Sequence, residues 1–185
     1  QVISYCECHD NHVLWDKLGI SAPEATKAER AEMHKLALTI VLSSQGISFL
    51  HAGTEFLRTK NGVENSFNSG DSINAINWNL KSENKVVFDY VQSLIKMRRA
   101  HPAFRMTSAD DISRNINYKK KVPLQVVAYT INGAAVKDRW KKIFVVFNGS
   151  TVSSSTQLPL GKWKIFIADN TVKALKPISG KLTVK

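Results

Sequence analysis

Cysteine is scarce: the 185 residues hold two, Cys6 and Cys8, set two positions apart. On a strand such a pair points the same way but lies about 6.5 Å apart, too far to bridge, so both are expected to be free thiols and no disulfide framework is available. His9 and His12 add soft ligands close by, but zinc sites draw on two separated pairs and no second Cys/His pair follows, so no metal and no cofactor is expected. No run approaches the 18 or so apolar residues of a membrane span, which predicts a soluble chain without one. Acidic residues number 15 against 26 Lys and Arg, a net charge of +11. Lys119, Lys120 and Lys121 with Arg139, Lys141 and Lys142 are the densest basic patches, yet they lack the interleaved aromatics of a base-stacking surface. No nucleic-acid partner is expected, and the test of that alternative is a steep, linear salt slope in DNA affinity. Gln1 is not a start residue and no signal-like segment follows it, so a natural N-terminus upstream is expected.

What is present divides in two. Val2, Ile3 and Tyr5 suit a short buried strand, and the polar burst His9-Asp10-Asn11-His12 suits the loop after it, which is expected to continue through Asp16 and Leu18. Met33, Leu36, Ala37, Ile40 and Val41 recur at helical spacing, predicting a helix from about Thr26 to Leu42 with Thr26 as N-cap and Glu29 three residues on. A strand is expected over Ile47–Leu50, a long polar loop over Arg58–Asn79, and a second helix over Asn84–Arg99, stopped by His101-Pro102. Beyond residues 102–112 the pattern becomes short strands: Val126–Ile131, Ile143–Phe147, Ser153–Leu158, Trp163–Ile167 and Leu182–Val184. Asn132-Gly133, Asn148-Gly149 and Leu160-Gly161 are the expected turns between them.

Strand, helix, strand, helix and then strands alone describe a piece of β/α architecture joined to a small antiparallel β-sandwich. The candidate site starts at the end of the first strand, because loops positioned by a rigid sheet carry most catalytic side chains. Asp10 is its central carboxylate; the competing reading is a loop cap bonding nearby backbone amides. Asn11 and Trp15 stand in the same loop, although Trp is also a core residue by area. Asn65, Asn68, Asp71 and Asn74 offer amides and a carboxylate on the long polar loop, though loops favour the same residues for turn geometry.

Four linked segments carry a resemblance. Tyr5-x-Glu7-x-His9-Asp10-Asn11-His12-x-Leu14-Trp15-Asp16-Lys17-Leu18 resembles the seventh-strand segment of type I pullulanases in the α-amylase superfamily. Gln45 to Lys60, with His51-Ala52-Gly53-Thr54-Glu55-Phe56, resembles their eighth-strand segment, and Asn65 to Asn74 with Trp78 the loop after it. Met97-Arg98-Arg99-x-His101-Pro102-Ala103-Phe104-Arg105 resembles the end of the eighth barrel helix. Cys8 stands where the family has Ser, Ser48 and Gly70 where it has Pro, and Phe67 where it has Tyr.

The resemblance implies the last two βα units of a (β/α)8 barrel over residues 1–105 and a C-terminal β-sandwich domain over 106–185. Two units cannot close a barrel by themselves. It implies retaining hydrolysis of α-1,6-glucosidic linkages in pullulan, glycogen, amylopectin and limit dextrins, with the N-terminal remainder of the same enzyme as partner, because the nucleophile and acid/base belong to the fourth and fifth strands. Asp10 would stabilise the transition state, His9 would donate a hydrogen bond beside it, Asn11 and Trp15 would line the sugar groove, Trp by stacking its face on a pyranose ring, Asn65, Asn68, Asp71 and Asn74 would offer amides and a carboxylate to sugar hydroxyls, and Glu55 would be a buried support residue. A non-catalytic carbohydrate-binding module is the alternative class, recognised by glucan retention on the strand-rich tail alone.

Overall fold

Thr26 opens the longest helix by a reciprocal cap: its hydroxyl accepts from the Glu29 N–H at 3.2 Å, and the Glu29 carboxylate accepts from the Thr26 N–H at 2.8 Å. Such a box contributes about 1 kcal/mol by satisfying two amides that the helix leaves orphaned. The chain is described by a computed structural model covering residues 2–168, 171–172 and 177–184. It divides into two compact units, Gln1–Met97 and Arg98–Lys185.

In the first unit, β1 (Ile3–Ser4) pairs in parallel with β2 (Ile47–Ser48), Ile3 opposite Ile47. Between them run α1 (Leu14–Ser21) and α2 (Lys27–Ser43). Parallel pairing requires such a crossover, since a tight turn can join only antiparallel strands. A 3-10 turn at Thr54–Phe56, two short helices, α3 (Asp71–Asn74) and α4 (Asn79–Glu83), and then α5 (Lys85–Ala100) follow. Leu38, Val41, Leu42, Phe56, Val87, Val91 and Leu94 form the core, and the Thr39 and Tyr90 hydroxyls join α2 to α5 at 2.6 Å. Ser48 donates its hydroxyl to the Val41 carbonyl at 2.9 Å. Among the described residues no helix is long and apolar enough to cross a membrane.

The segment Asp16–Leu18, expected as loop, lies inside α1. Local pattern missed this helix because its support is not local: Val13 and Leu14 are buried, and the Leu14 N–H is capped by the Glu7 carboxylate. The polar stretch 58–79 contains α3 and a network of side-chain bonds, so it is built rather than merely connecting.

His34 in α2 is fully buried, bonded through Nε2 to the Thr54 carbonyl at 2.8 Å, and burial pushes its imidazole from 6.5 down to about 4. The unfolded chain therefore binds more protons than the folded one between those values, so stability falls as pH falls through this window and levels off below it. The expected loss is about 3 kcal/mol from pH 7 to pH 4. Denaturant midpoints of wild type and His34→Gln at both pH values check it; an unchanged gap in the variant would assign the acid sensitivity to other groups.

In the second unit, α6 (Ala109–Asn115) is capped by Ser108, which accepts from the Asp111 N–H at 2.9 Å. Sequence periodicity had passed over this seven-residue helix. β3 (Ile116–Tyr118), β4 (Val126–Ile131) and β5 (Ile143–Asn148) form an antiparallel sheet in that order, with Ile131 opposite Ile143. The later strands form three separate antiparallel pairs nested in sequence: β8 (Ile167–Ala168) with β9 (Thr171–Val172), β7 (Trp163–Lys164) with β10 (Pro177–Ile178), and β6 (Ser154–Gln157) with β11 (Lys181–Val184). The single strand expected over Trp163–Ile167 is thus two.

Asn132-Gly133 does not make the expected tight hairpin turn. The chain enters a 3-10 turn at Gly133–Val136 and loops through Asp138, whose carboxylate accepts from His101 Nδ1 at 2.7 Å, the Ala103 N–H at 3.0 Å and the Trp140 N–H at 2.8 Å. The connection is wide because this buried carboxylate collects its donors there. Gly133 is required for it, since a Cβ at that position would sit 2.0 Å from the Trp140 carbonyl.

Candidate functional site

Beyond β1 the chain descends and returns within ten residues. Tyr5 packs its ring edge-on against Phe49, 6.2 Å between centroids. Glu7 is drawn inward, its side chain 3% exposed, and Oε2 accepts the Leu14 N–H at the start of α1, where the helix dipole favours an anion. Burial pushes the Glu7 carboxyl up from its ordinary value, opposed by the Leu14 amide, the nearby Thr54 hydroxyl and the Arg58 charge.

His9 and Asp10 turn the other way. Their side chains are 81% and 64% exposed and meet at 3.5 Å between Nε2 and Oδ2. Among the described residues the Asp10 carboxylate accepts no backbone amide, so the loop-cap reading finds no support. Asn11 follows at a φ of +61°, the left-handed region that Asn tolerates better than most residues.

The loop after β2 is clamped onto this one. Asp16, in the first turn of α1, accepts from the Thr59 hydroxyl at 2.6 Å and from the N–H groups of Lys60 at 2.8 Å and Gly62 at 3.1 Å. The Asn11 N–H reaches Asn65 Oδ1 at 3.2 Å, and His12 Nε2 the Gly62 carbonyl at 3.1 Å. Inside the clamped loop, Lys60 Nζ donates to the Ser66 hydroxyl at 2.6 Å, which donates to Asn74 Oδ1 at 2.8 Å; Asn74 Nδ2 donates to the Ser66 and Ser69 carbonyls.

The residues nominated from sequence therefore divide by occupation. Asn65 and Asn74 spend their amides holding the loops. Trp15 packs within the α1 and α2 pair, the Arg30 guanidinium 5.0 Å from its ring centroid and His34 at its edge. Asn68 and Asp71 are exposed on the clamped loop, and their side chains make no hydrogen bond among the described residues. Glu55 is half-buried and accepts the Gly53 N–H at 3.0 Å, supporting a glycine whose φ of +94° lies in the left-handed region. Asp16 and Lys60 were not nominated. An acidic residue in a first turn signals amide capture, but the amides it captures lie 44 and 46 residues away.

Comparisons place this arrangement. Residues 112–171 match the family model described as the pullulanase all-beta domain. Pullulanase from Bacillus subtilis strain 168 is 40% identical over 159 residues, 86% of this chain and 22% of its own length. Isoamylase from Pseudomonas amyloderamosa is 27% identical over 78% of this chain and 20% of its own. Among solved structures, pullulanase from Bacillus acidopullulyticus superposes with a TM-score of 0.94 at 42% identity, covering 98% of this chain and 23% of that one. Type I pullulanase from Bacillus subtilis strain 168, solved in complex with maltose, gives 0.93 at 35%, covering 98% and 26%. The relatives belong to the debranching class of glycoside hydrolases. Within it the chain is homologous to the pullulanases, spanning about a quarter of the length of those it matches.

Proposed function

We propose that this chain is a portion of an enzyme that cleaves α-1,6-glucosidic linkages in pullulan and branched α-glucans with retention. Asp10 is its transition-state stabiliser, and β1, β2, α2 and α5 belong to the last two βα units of a (β/α)8 barrel. The barrel portion is assigned residues 1–105 and a β-sandwich domain residues 106–185. The observation that carries the reading is the outward Asp10 carboxylate, spared from loop-holding bonds on a segment whose other polar groups are spent clamping it. A carboxylate so held can bind sugar hydroxyls and favour the oxocarbenium-like ring. His9 donates beside it, and Asn68 and Asp71 remain open to further hydroxyls; Asn11, Asn65 and Asn74 act through the loops they hold, and Trp15 through the helix pair in which it packs.

The substrates are α-glucans: pullulan, glycogen, amylopectin and limit dextrins. The maltose in the Bacillus subtilis structure supports that class of ligand. The nucleophile and the acid/base come from the remainder of the enzyme, so the 185-residue chain alone is expected to release no reducing ends from pullulan above the buffer rate. Turnover by the purified chain that vanishes in Asp10→Ala would overturn the division of labour. Binding of the isolated chain to glucan without hydrolysis by the intact enzyme would favour the carbohydrate-binding alternative.

A further inference from the structure

We propose that Glu7 and His51 hold one proton between them and thereby position the loop that carries His9 and Asp10, an inference that rests on the function proposed above. Glu7 Oε1 and His51 Nδ1 face each other at 3.9 Å, with side chains 3% and 16% exposed. Neither atom has a hydrogen-bond partner among the described residues. Two buried acceptors opposed in this way repel and stay desolvated, whereas a single proton gives each the partner it lacks, once a closure of about 1 Å brings the pair to bonding length.

The two ends of the pair belong to different strands. Glu7 follows β1, two residues before His9, and its other oxygen closes the loop onto the Leu14 N–H of α1. His51 follows β2 and precedes the 3-10 turn of Thr54. The pair thus ties the Asp10 loop to both strand ends, and the Asp10 side chain makes no buried hydrogen bond among the described residues that could do so. A loop with a left-handed residue at Asn11 and an exposed ion pair needs such an anchor to hold a carboxylate in catalytic register, since a displacement near 1 Å costs on the order of a hundredfold in rate.

The surroundings set the proton count. Asp16 of α1, Thr54, Arg58 and Lys60 face the pair, and His9 shares its loop. Burial raises Glu7; burial and then the charges of Arg58, Lys60 and His9 lower His51. Both directions favour the neutral pair, with the proton on Glu7 and the bare Nδ1 of His51 accepting it.

Glu7→Gln tests the pair in the intact protein that carries this chain, because its amide still accepts from Leu14 and supplies a permanent N–H to His51. With 15N-histidine labelling, the His51 titration midpoint is expected to stay within about half a pH unit of wild type in Glu7→Gln, because the amide N–H stands where the carboxyl O–H stood. The turnover number should stay within about fivefold. Glu7→Ala should lower it at least about 30-fold with KM within threefold, and should move the His9 resonance, which Glu7→Gln leaves in place. A His51 midpoint that falls by about one pH unit or more in Glu7→Gln, the sign of an ionised Glu7 in wild type, or equal turnover in the two variants, overturns the proposal. If Glu7→Ala does not fold, the Glu7→Gln titration still decides. A wild-type protein that leaves pullulan intact overturns the functional reading alone, and the His51 and His9 resonances then decide the pair.

Discussion

Replacing Asp10 by Asn in the intact enzyme is expected to lower the turnover number at least about a hundredfold while the melting temperature changes little, the scale of one lost preorganised contact to the transition state. Asn keeps the shape of the side chain and removes its charge, so the experiment isolates the carboxylate. Asp10 is more than half exposed, and the His9 ring beside it is more exposed still. Folding therefore has little to lose at this position. A carboxylate that capped the loop would behave in the opposite way, because Asn caps about as well as Asp and only stability would shift. The affinity for substrate should change less than turnover, since a sugar ring distorted toward an oxocarbenium ion calls on the charge more strongly than the relaxed ring does. Turnover within a few-fold of wild type, with a lowered melting temperature, would return Asp10 to a purely structural role.

Where the sequence was legible, the cause was local. The Thr26 and Glu29 capping box, the helical spacing through Val41 and the apolar stripe of α5 depend on residues three and four apart, and those elements were found where the pattern placed them. β4 was legible because its six residues are mostly β-branched or aromatic, the side chains that suit a half-buried pleated surface. What escaped was held from far along the chain. α1 needs the Glu7 cap and the contacts of Trp15 with Arg30 and His34. The conformation of the 58–74 loop needs Asp16, and the division of Asn65 and Asn74 from Asn68 and Asp71 depends on which amides the fold consumes. Residue type alone marked all four as suited to sugar; only the geometry shows that two are already engaged. Asp10 could be nominated because a polar cluster at a strand end is itself a local signal, strengthened by a motif that runs on through Leu18.

In the second unit, Asp138→Ala is expected to destabilise the fold by about 3–5 kcal/mol, the cost of leaving several buried donors without their shared acceptor. His101 and Asp138 have side chains 1% and 0% exposed, so water cannot replace what is lost. Three donors would be stranded: His101 Nδ1 and the N–H groups of Ala103 and Trp140. The His101 ring is further fixed by stacking on Trp140 at 3.6 Å and by Arg139, whose guanidinium lies 3.4 Å from Nε2, so the ring cannot turn to find another acceptor. Asp138→Asn should fare little better, since its NH2 must face one of the same donors. Burial alone would raise the Asp138 carboxyl, but the His101 hydrogen bond and the two amides outweigh it and hold the group below its ordinary value of 3.8. A depressed folded-state value means that the stabilisation is present at neutral pH and is lost as pH falls below about 4 toward the folded value. Wild type should therefore lose this contribution in acid while Asp138→Ala, having none, should show a flatter profile there. Thermal melts and denaturant midpoints of the two proteins at pH 7 and pH 3 measure both effects. A loss under about 1 kcal/mol at pH 7 would mean that the site repacks around the missing carboxylate and that the connection between β4 and β5 is shaped by something else.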